Sequence, residues 1–419
     1  MSACGLDFGT SNTTFGQVVD HVPVLVPLES RHLTIPSAVF FSRDGGGVLI
    51  GRMAVDEYVD GTPGRLMRSL KAVLGTPLID EITQVGRERR TFRDVIAYYL
   101  GAVKRRAEEV TGREFRNVVH GRPVHFVDND PEADRRAEQT LEDIARKSGF
   151  QNVTFQFEPI AAAFDYERQI VREEIALIAD IGGGTSDFSI VRLSPERHRK
   201  ADRQDDILGN DGVRIGGTDF DRKLSLGLVM PLLGHGSAMQ RARLDAPTSY
   251  FHDLATWSNI NRMYERGVES DIRKVRREAR EPKLFDRLLR VLEEQRGHTL
   301  AMDVEQSKIA LSDTAKAGIS LEWLEPWLKV AMSRTDLVRQ TAELAETIGA
   351  RIGACLGQAC VAAGNIDTVF LTGGSVQLAH VRRRIAGCVP AARIVDGDTF
   401  GAVGKGLAIE AHRRFGAAT

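Results

Sequence analysis

The chain has almost no excess charge of either sign. Its 56 Lys and Arg residues are balanced by 57 Asp and Glu residues, which gives a formal net charge of −1 at pH 7. Such a chain creates no general field that would attract nucleic acid or an anionic membrane. We therefore expect neither as a partner, and any bound anion must be held by a local arrangement of groups.

Cysteine is scarce and long apolar runs are absent. The four cysteines, at positions 4, 355, 360 and 388, include no C-x-x-C pair and have no spacing typical of a disulfide framework, so we expect reduced thiols. No run of about 18 apolar residues could form a membrane span. An apolar strand begins almost at once, where a secretory leader would have its basic region. These absences predict a soluble, cytoplasmic protein.

The size and composition of the chain predict a globular protein with two domains. It has 419 residues, of which 42% are hydrophobic and 27% charged, and a single core rarely grows to that length. Strand-like runs alternate with long helical patterns in two successive halves, which is typical of an α/β protein with mixed sheets. Residues 64–74 are predicted to be helical, and the charged residues 196–206 to form a solvated turn.

Two glycine loops in the chain are nearly the same. Residues 5–13 read GLDFGTSNT and residues 180–187 read DIGGGTSD. In each, an apolar run reaches an Asp and then bends through glycine towards a hydroxyl side chain. Backbone N–H groups in such a bend form a concave surface that binds anions, above all phosphate. The pair therefore suggests a duplicated fold that holds one polyphosphate from two sides.

These loops and several later segments resemble the actin-like ATPase superfamily, and within it the nucleotide-binding domain of the DnaK-type chaperones, the Hsp70 family. The segments that carry the resemblance are LDFGTSNT (6–13), the segment around Lys71, EPIAAAFDY (158–166), IADIGGGTSDFSI (178–190), RIGGTDFD (214–221), VEQSKIALS (304–312) and VFLTGGS (369–375). One such segment would be a modest signal, whereas all of them in this order are specific.

The resemblance implies an α/β fold of ribonuclease H-like, duplicated mixed sheets, with two lobes around a nucleotide cleft. Lobe I would span residues 1–171, with an inserted subdomain at about 36–105. Lobe II would span residues 172–397, with an inserted helical subdomain at about 218–340. Residues 398–419 would form a C-terminal helix, capped by Asp398, that returns to lobe I.

The resemblance also implies that the cleft binds ATP or ADP with Mg²⁺. Asp7 and Asp180 would hold the metal, largely through water, although either residue alone could equally be a cap at a strand end. Lys71 would lie at the γ-phosphate, whereas its spacing alone places it on a solvated basic face. Glu158 would orient the attacking water. Asp187 would line the same site, next to a monovalent cation such as K⁺.

Further residues are implied in nucleotide binding. Those on the phosphate side are Gly9, Thr10, Ser11, Asn12, Gly182, Gly183, Gly184 and Thr185. Those on the nucleoside side are Gly217, Glu305, Lys308, Ser312, Gly373, Gly374 and Ser375. Glu305, Lys308 and Ser312 are spaced to share one helical face, a spacing that is also typical of an ordinary ion-paired surface helix.

The sequence departs from the family pattern on the adenine side. Val376 and Gln377 follow Ser375 where the family usually has Thr and Arg, and Ile309 stands where a second Arg is usual. Each missing cation–π contact is worth about 0.5–2 kcal/mol, so weaker nucleotide binding is expected. Thr154 replaces an Arg, which weakens the expected docking of a J-domain cochaperone.

Residues 230–302 form a longer segment than the family usually has at this point. Its aromatic residues are Tyr250, Phe251, Trp257 and Tyr264. This insertion could bind an unfolded polypeptide or another protein, or it could supply extra helical packing. The last helix ends the chain, and we expect no peptide-binding domain.

The function predicted from these residues is that of a slow ATPase, a chaperone-like protein reduced to its nucleotide-binding domain. Two alternatives belong to the same superfamily. A small-molecule kinase would need an acceptor pocket and a catalytic Asp, whereas Lys71 and Glu158 are typical of a hydrolase. A filament protein would need protomers that stack, for which the segment 230–302 is unfavourable.

Overall fold

The computed structural model describes residues 2–43, 47–85, 88–127, 130–200, 202–240, 245–265, 267–397 and 401–416. The strands are β1 Ser2–Phe8, β2 Asn12–Val19, β3 Val22–Leu25, β4 Ile35–Pro36, β5 Ala38–Ser42, β6 Val48–Ile50, β7 Gly64–Arg68, β8 Ile82–Val85, β9 Glu88–Thr91, β10 Phe115–Arg122, β11 Asn152–Phe157, β12 Glu174–Ile181, β13 Ser186–Leu193, β14 Ile207–Val213, β15 Lys316–Ser320, β16 Lys329–Ser333, β17 Thr368–Thr372 and β18 Arg393–Asp396. The helices are α1 Arg52–Val59, α2 Phe92–Thr111, α3 Pro131–Lys147, α4 Glu158–Glu167, α5 Gly217–Leu224, α6 Ser249–Leu254, α7 Val268–Glu278, α8 Pro282–Glu293, α9 Gly297–Asp313, α10 Arg334–Gln358, α11 Ala379–Cys388 and α12 Ala402–Phe415. The predicted cap Asp398 lies outside the described residues. Within them, no helix has the length and apolar character to cross a bilayer.

The chain divides into two compact units. The first consists of Met1–Arg214, Arg351–Val376 and Ile385–Thr419, and the second of Ile215–Ala350 and Gln377–Arg384. The first unit contains both large sheets, each of which has five strands in a row. The second unit is mainly helical and contains the hairpin β15–β16. The lobe boundaries predicted from the resemblance stay predictions.

The two large sheets of the first unit have the same topology. One has the strand order β11-β10-β1-β2-β3 and the other β18-β17-β12-β13-β14. In each, the central strand (β1 or β12) has a parallel neighbour on one side and an antiparallel neighbour on the other. The outer pairs match as well, because β10–β11 and β17–β18 are parallel while β2–β3 and β13–β14 are antiparallel. The duplication predicted from the loops is thus present in the strands.

The central strand β1 uses its two faces for different kinds of packing. Leu6 and Phe8 are fully buried in a core that also contains Leu100 of α2 and Leu141 of α3. The opposite face carries Gly5, and a methyl group there would lie 2.3 Å from the backbone nitrogen of Ala408 in α12. Side chains alternate along a strand, so β1 packs side chains on one face and helix backbone on the other.

Helices α4 and α12 pack together in the core of the first unit. This second core joins Ala161 and Phe164 of α4 with Leu407 of α12 and Ile178 of β12. A methyl group on Gly406 would lie 1.8 Å from the carbonyl oxygen of Ala161, far inside the contact distance of real atoms. Backbone therefore packs against backbone, and the two helices approach as closely as glycine allows.

The helix predicted over residues 64–74 was wrong. Residues Gly64–Arg68 form β7, which pairs with β5, and Leu70–Val73 form a single 3₁₀ turn. Ser69 separates them with a φ of 57°, a left-handed conformation that interrupts regular structure. Lys71 lies on this turn, so the basic helical face predicted for it is not formed.

The solvated turn predicted over residues 196–206 was wrong at Arg203 and Asp206, which are buried, although most of the other described residues there are exposed. The Arg203 side chain is fully buried, donates hydrogen bonds of 2.7 and 2.9 Å to Glu167 and contacts Asp206. Its guanidinium also lies 5.8 Å from the centre of the Phe164 ring. Opposite charges and an aromatic face thus compensate groups that would otherwise stay in water.

We predict opposite effects for two glycine-to-alanine substitutions in helices of the first unit. Gly406→Ala forces a methyl group against the backbone of α4 and should reduce the free energy of unfolding by about 1–3 kcal/mol. Gly353→Ala, on α10, meets no described atom within 4 Å and should add about 0.5–1 kcal/mol, because alanine favours helix. Urea unfolding measures both. Equal effects would contradict the close approach of α12.

We also predict that Arg203→Met reduces the free energy of unfolding by about 3–5 kcal/mol at pH 7, because Glu167 and Asp206 lose the buried cation that they share. Burial acts to raise the pKa of Glu167, but the contacts with His198 and Arg203 outweigh it and hold that pKa below its ordinary value. The stabilisation is therefore present at neutral pH and is lost as the pH falls through the lowered pKa.

Denaturant unfolding of wild type and Arg203→Met between pH 7 and pH 3 tests this prediction. The difference between their free energies of unfolding should become smaller as the pH falls. Arg116→Met is the control, because Arg116 pairs with Glu114 on an exposed surface. It should change stability little at any pH. A variant at Arg203 that matches wild type at pH 7 would contradict a stabilising role of the network.

Candidate functional site

Both glycine loops have the same local fold. The backbone N–H of Gly9 donates to the carbonyl oxygen of Asn12 at 3.0 Å, and the N–H of Gly182 donates to that of Thr185 at 2.9 Å. Each bond closes the turn between a central strand and its antiparallel partner, β1–β2 or β12–β13. The repeated sequence therefore builds the same turn twice.

The two loops face each other at close range. A methyl group on Gly183 would lie 1.9 Å from Oγ of Ser11, and one on Gly184 would lie 3.6 Å from Cγ2 of Thr10. A side chain at position 183 would force the Ser11 side chain to move, whereas the distance at position 184 is an ordinary van der Waals contact. The backbone of both loops can thus approach one ligand.

A cavity of about 640 Å³ lies between the loops within the first unit. Its volume is in the range of small-molecule sites, about 300–1,000 Å³. The predicted residues that line it are Asp7, Gly9, Thr10, Ser11, Asn12, Lys71, Glu158, Asp180, Gly182, Gly183, Gly184, Thr185, Asp187, Gly373 and Gly374. Ser375 is buried behind them, and its hydroxyl donates to the carbonyl oxygen of Gly182 at 3.4 Å.

Lys71 and Glu158 form an ion pair in this cavity. Nζ of Lys71 lies 2.5 Å from Oε1 of Glu158, and the two side chains are only 11% and 17% exposed. Glu158 is the first residue of α4, where the helix dipole favours a carboxylate. Burial acts to lower the pKa of Lys71, but the negative charges of Glu158 and Asp7 outweigh it and raise that pKa. Lys71 is therefore a permanent cation.

Three aspartates whose charge depends on the pH line the same cavity. Asp180 and Asp187 lie opposite each other on β12 and β13. Their removal from bulk water comes first in raising the pKa of Asp7 to about 8, of Asp180 to about 6 and of Asp187 to about 7. The charge of Glu158 adds to the first two shifts, and that of Asp180 adds to the third. The cavity is thus prepared for a further cation.

The donors in the cavity fit a magnesium ion that keeps much of its water. In the described ranges, no group of three or more His, Cys, Asp or Glu side chains is close enough to hold a metal ion. Mg²⁺ commonly binds through one or two carboxylates, with water and phosphate oxygens completing its shell. Asp7 and Asp180 can supply the carboxylates, since both line the cavity.

The predicted nucleoside-side residues Gly217, Glu305, Lys308 and Ser312 belong to the second unit. Nζ of Lys308, which is nearly buried, lies 3.1 Å from the carbonyl oxygen of Gly217 and 2.9 Å from Oδ1 of Asp221. Glu305 and Ser312 are half-buried on the same helix, α9. The structure thus brings Gly217 and Lys308 into contact. Asp221, the ion-pair partner of Lys308, was not predicted from the sequence. Their contact with adenosine stays a prediction.

Aromatic residues of the segment 230–302 pack inside the second unit. Phe251 is fully buried against Phe285, and the ring of Trp257 meets that of His298 edge-on at 4.7 Å. The Tyr264 hydroxyl accepts a hydrogen bond from the N–H of Gly297 at 2.9 Å. These contacts favour extra helical packing, and partner binding stays a prediction.

Sequence reasoning missed several residues that line the cavity, among them Asn210, Thr372, His125 and Arg214. Arg214 lies inside the segment RIGGTDFD, so its motif was recognised although its position was not. The pairing of β13 with β14 brings it to the cavity, because Gly212 lies opposite Asp187. A sequence pattern does not state the register of strands.

Comparison with known proteins finds relatives among chaperones. The family model described as "Hsp70 protein" matches residues 3–230. The protein named "Chaperone protein DnaK" of Halobacterium salinarum is 30% identical over 220 residues, which are 52% of this chain and 32% of that protein. The "Chaperone protein HscA homolog" of Bordetella pertussis is 31% identical over 236 residues, with 52% of this chain and 36% of that protein covered.

The match thus covers about a third of the length of these relatives. The residues 3–230 matched by the family model include both glycine loops, Lys71 and Glu158. Since the family model matches more than half of the 419 residues, the chain belongs to the Hsp70 family.

Proposed function

We propose that the chain binds ATP and ADP with Mg²⁺ and slowly hydrolyses ATP, as the nucleotide-binding domain of a chaperone-like protein. One observation carries the proposal: two equivalent glycine loops face each other across one cavity that also holds the pair Lys71–Glu158. Membership of the Hsp70 family and the chaperone names of the relatives support it.

The loops would bind the phosphates. The segments from Gly9 to Asn12 and from Gly182 to Thr185 both present backbone to the cavity. Hydrogen bonds from N–H groups to anionic oxygens are about twice as strong as bonds between neutral groups. Two opposed loops can share one polyphosphate, and this arrangement favours a nucleotide over a ligand with a single charged group.

Lys71 and Glu158 would act at the terminal phosphate. An ammonium group has three N–H donors, so the contact of Lys71 with Glu158 leaves others for phosphate oxygens. Its fixed charge would offset charge that develops on those oxygens in the transition state. Glu158 would orient the water and accept its proton as the new O–P bond forms and the bond to the β-phosphate oxygen breaks.

Asp7 and Asp180 would hold the magnesium ion. Burial, and after it the negative charge of Glu158, raises the pKa of both groups, so a cation that binds there would stabilise their charged forms. When bound, the ion supplies positive charge next to the phosphate oxygens. Asp187 would line the same site and hold its charge near a monovalent cation.

We predict that Lys71→Met lowers ATP turnover by about 100- to 1,000-fold, because a preorganised charge next to the transferred phosphoryl group is lost. Phosphate release measures turnover, with and without an unfolded polypeptide, and calorimetry measures ADP binding, which should be retained. Lys147→Met is the matched control, since Lys147 lies on exposed α3 and pairs with Asp94. Failure of the wild-type chain to bind ATP in calorimetry would overturn the proposed function.

We further predict that Asp180→Asn raises the Mg²⁺ concentration for half-maximal turnover by about tenfold or more. An amide keeps the shape of the side chain but loses the charge that attracts the cation. ATP turnover is measured against Mg²⁺ concentration for the wild type, for Asp180→Asn and for the exposed control Asp143→Asn. An unchanged Mg²⁺ requirement would exclude Asp180 from holding the metal.

A further inference from the structure

The cavity contains a second permanent cation besides Lys71. Among the described residues that line it, Lys71 and Arg214 are the lysines and arginines. Lys71 is engaged with Glu158 at 2.5 Å. The Arg214 side chain is exposed, and within the described chain no carboxylate lies at ion-pair distance from its guanidinium. Arg214 therefore keeps its donors available to a ligand.

The strand register places Arg214 at the end of the second glycine loop. On β13 and β14, Asp187 lies opposite Gly212 and Ser186 opposite Val213. The next position along each strand brings Arg214 to the level of Thr185. The approach is close, because a methyl group on Gly212 would lie 3.1 Å from Oδ1 of Asp187. Arg214 follows this contact by two residues, about 7 Å of extended chain.

The acidic residues in the cavity favour the presence of a second cation, Arg214. Four carboxylates, those of Asp7, Glu158, Asp180 and Asp187, line the cavity with Lys71. A nucleoside triphosphate adds further negative charge. A guanidinium remains charged at all physiological pH values and can donate two parallel hydrogen bonds to the oxygens of one phosphate.

We propose that Arg214 is a second phosphate-binding residue, which donates to non-bridging oxygens of the terminal phosphate of ATP. This inference rests on the proposed function. In the reaction, water forms a bond to the terminal phosphorus, and the bond from phosphorus to the bridging oxygen breaks. The electron pair leaves with ADP and the proton of water goes to Glu158. Arg214 exchanges no proton and stabilises charge on the oxygens.

Three variants test the proposal. Arg214→Met removes the charge, Arg214→Lys keeps the charge but loses the planar fork, and Arg135→Met is the control on the exposed face of α3. Phosphate release gives kcat and KM for ATP, and calorimetry gives the affinity for ADP. We expect Arg214→Met to lower kcat by about 10- to 1,000-fold and Arg214→Lys to be intermediate. Both should bind ADP within about twofold of wild type, because ADP lacks the terminal phosphate.

A merely structural role of Arg214 would lower ADP affinity together with kcat, and that result would overturn the proposal. Wild-type kcat in Arg214→Met would overturn it as well, while turnover by the wild-type chain would leave the proposed function intact. No ATP binding or turnover by the wild-type chain would instead overturn the proposed function, and this inference with it.

Discussion

Uncompensated negative charge in one cleft is the constraint on which the site depends. Asp7, Glu158, Asp180 and Asp187 line the same cavity, and Lys71 neutralises only part of their charge. Interactions between charges are stronger away from bulk water, so the cleft favours an additional cation. Burial and the neighbouring negative charges together raise the pKa of the three aspartates, so they hold protons more tightly than aspartates in water do. Cation and polyphosphate are thus expected to enter together.

Close contact between stretches of backbone is the second constraint. The loops meet where Gly183 lies against Ser11, and α12 meets α4 where Gly406 lies against Ala161. A larger residue at position 406 would separate elements that carry the candidate site, since α4 begins at Glu158 and α12 contributes Ala402 and Val403 to the cavity wall, whereas one at position 183 would first displace the Ser11 side chain. The position of the charged residues therefore depends on glycine at these close contacts.

The sequence predicted what local patterns encode. The two glycine loops and the α/β class follow from local patterns of apolar residues and glycine, and the family's actin-like ATPase fold agrees with the mixed α/β sheets. The prediction from sequence failed where tertiary contacts determine the local structure. Arg203 looks like a solvated charge until Glu167 is brought beside it, and residues 64–68 look helical until they pair with β5. Arg214 became visible only through strand register.

The packing of α12 on β1 has a consequence for how the chain folds during synthesis. Strand β1 needs helix α12 as its neighbour, and this helix is synthesised almost 400 residues later. At about 5–20 residues per second, the glycine-bearing face of β1 stays uncovered for about 20–80 seconds. The first unit can close only after α12 has been synthesised, so its assembly has to wait for a contact between distant parts of the chain.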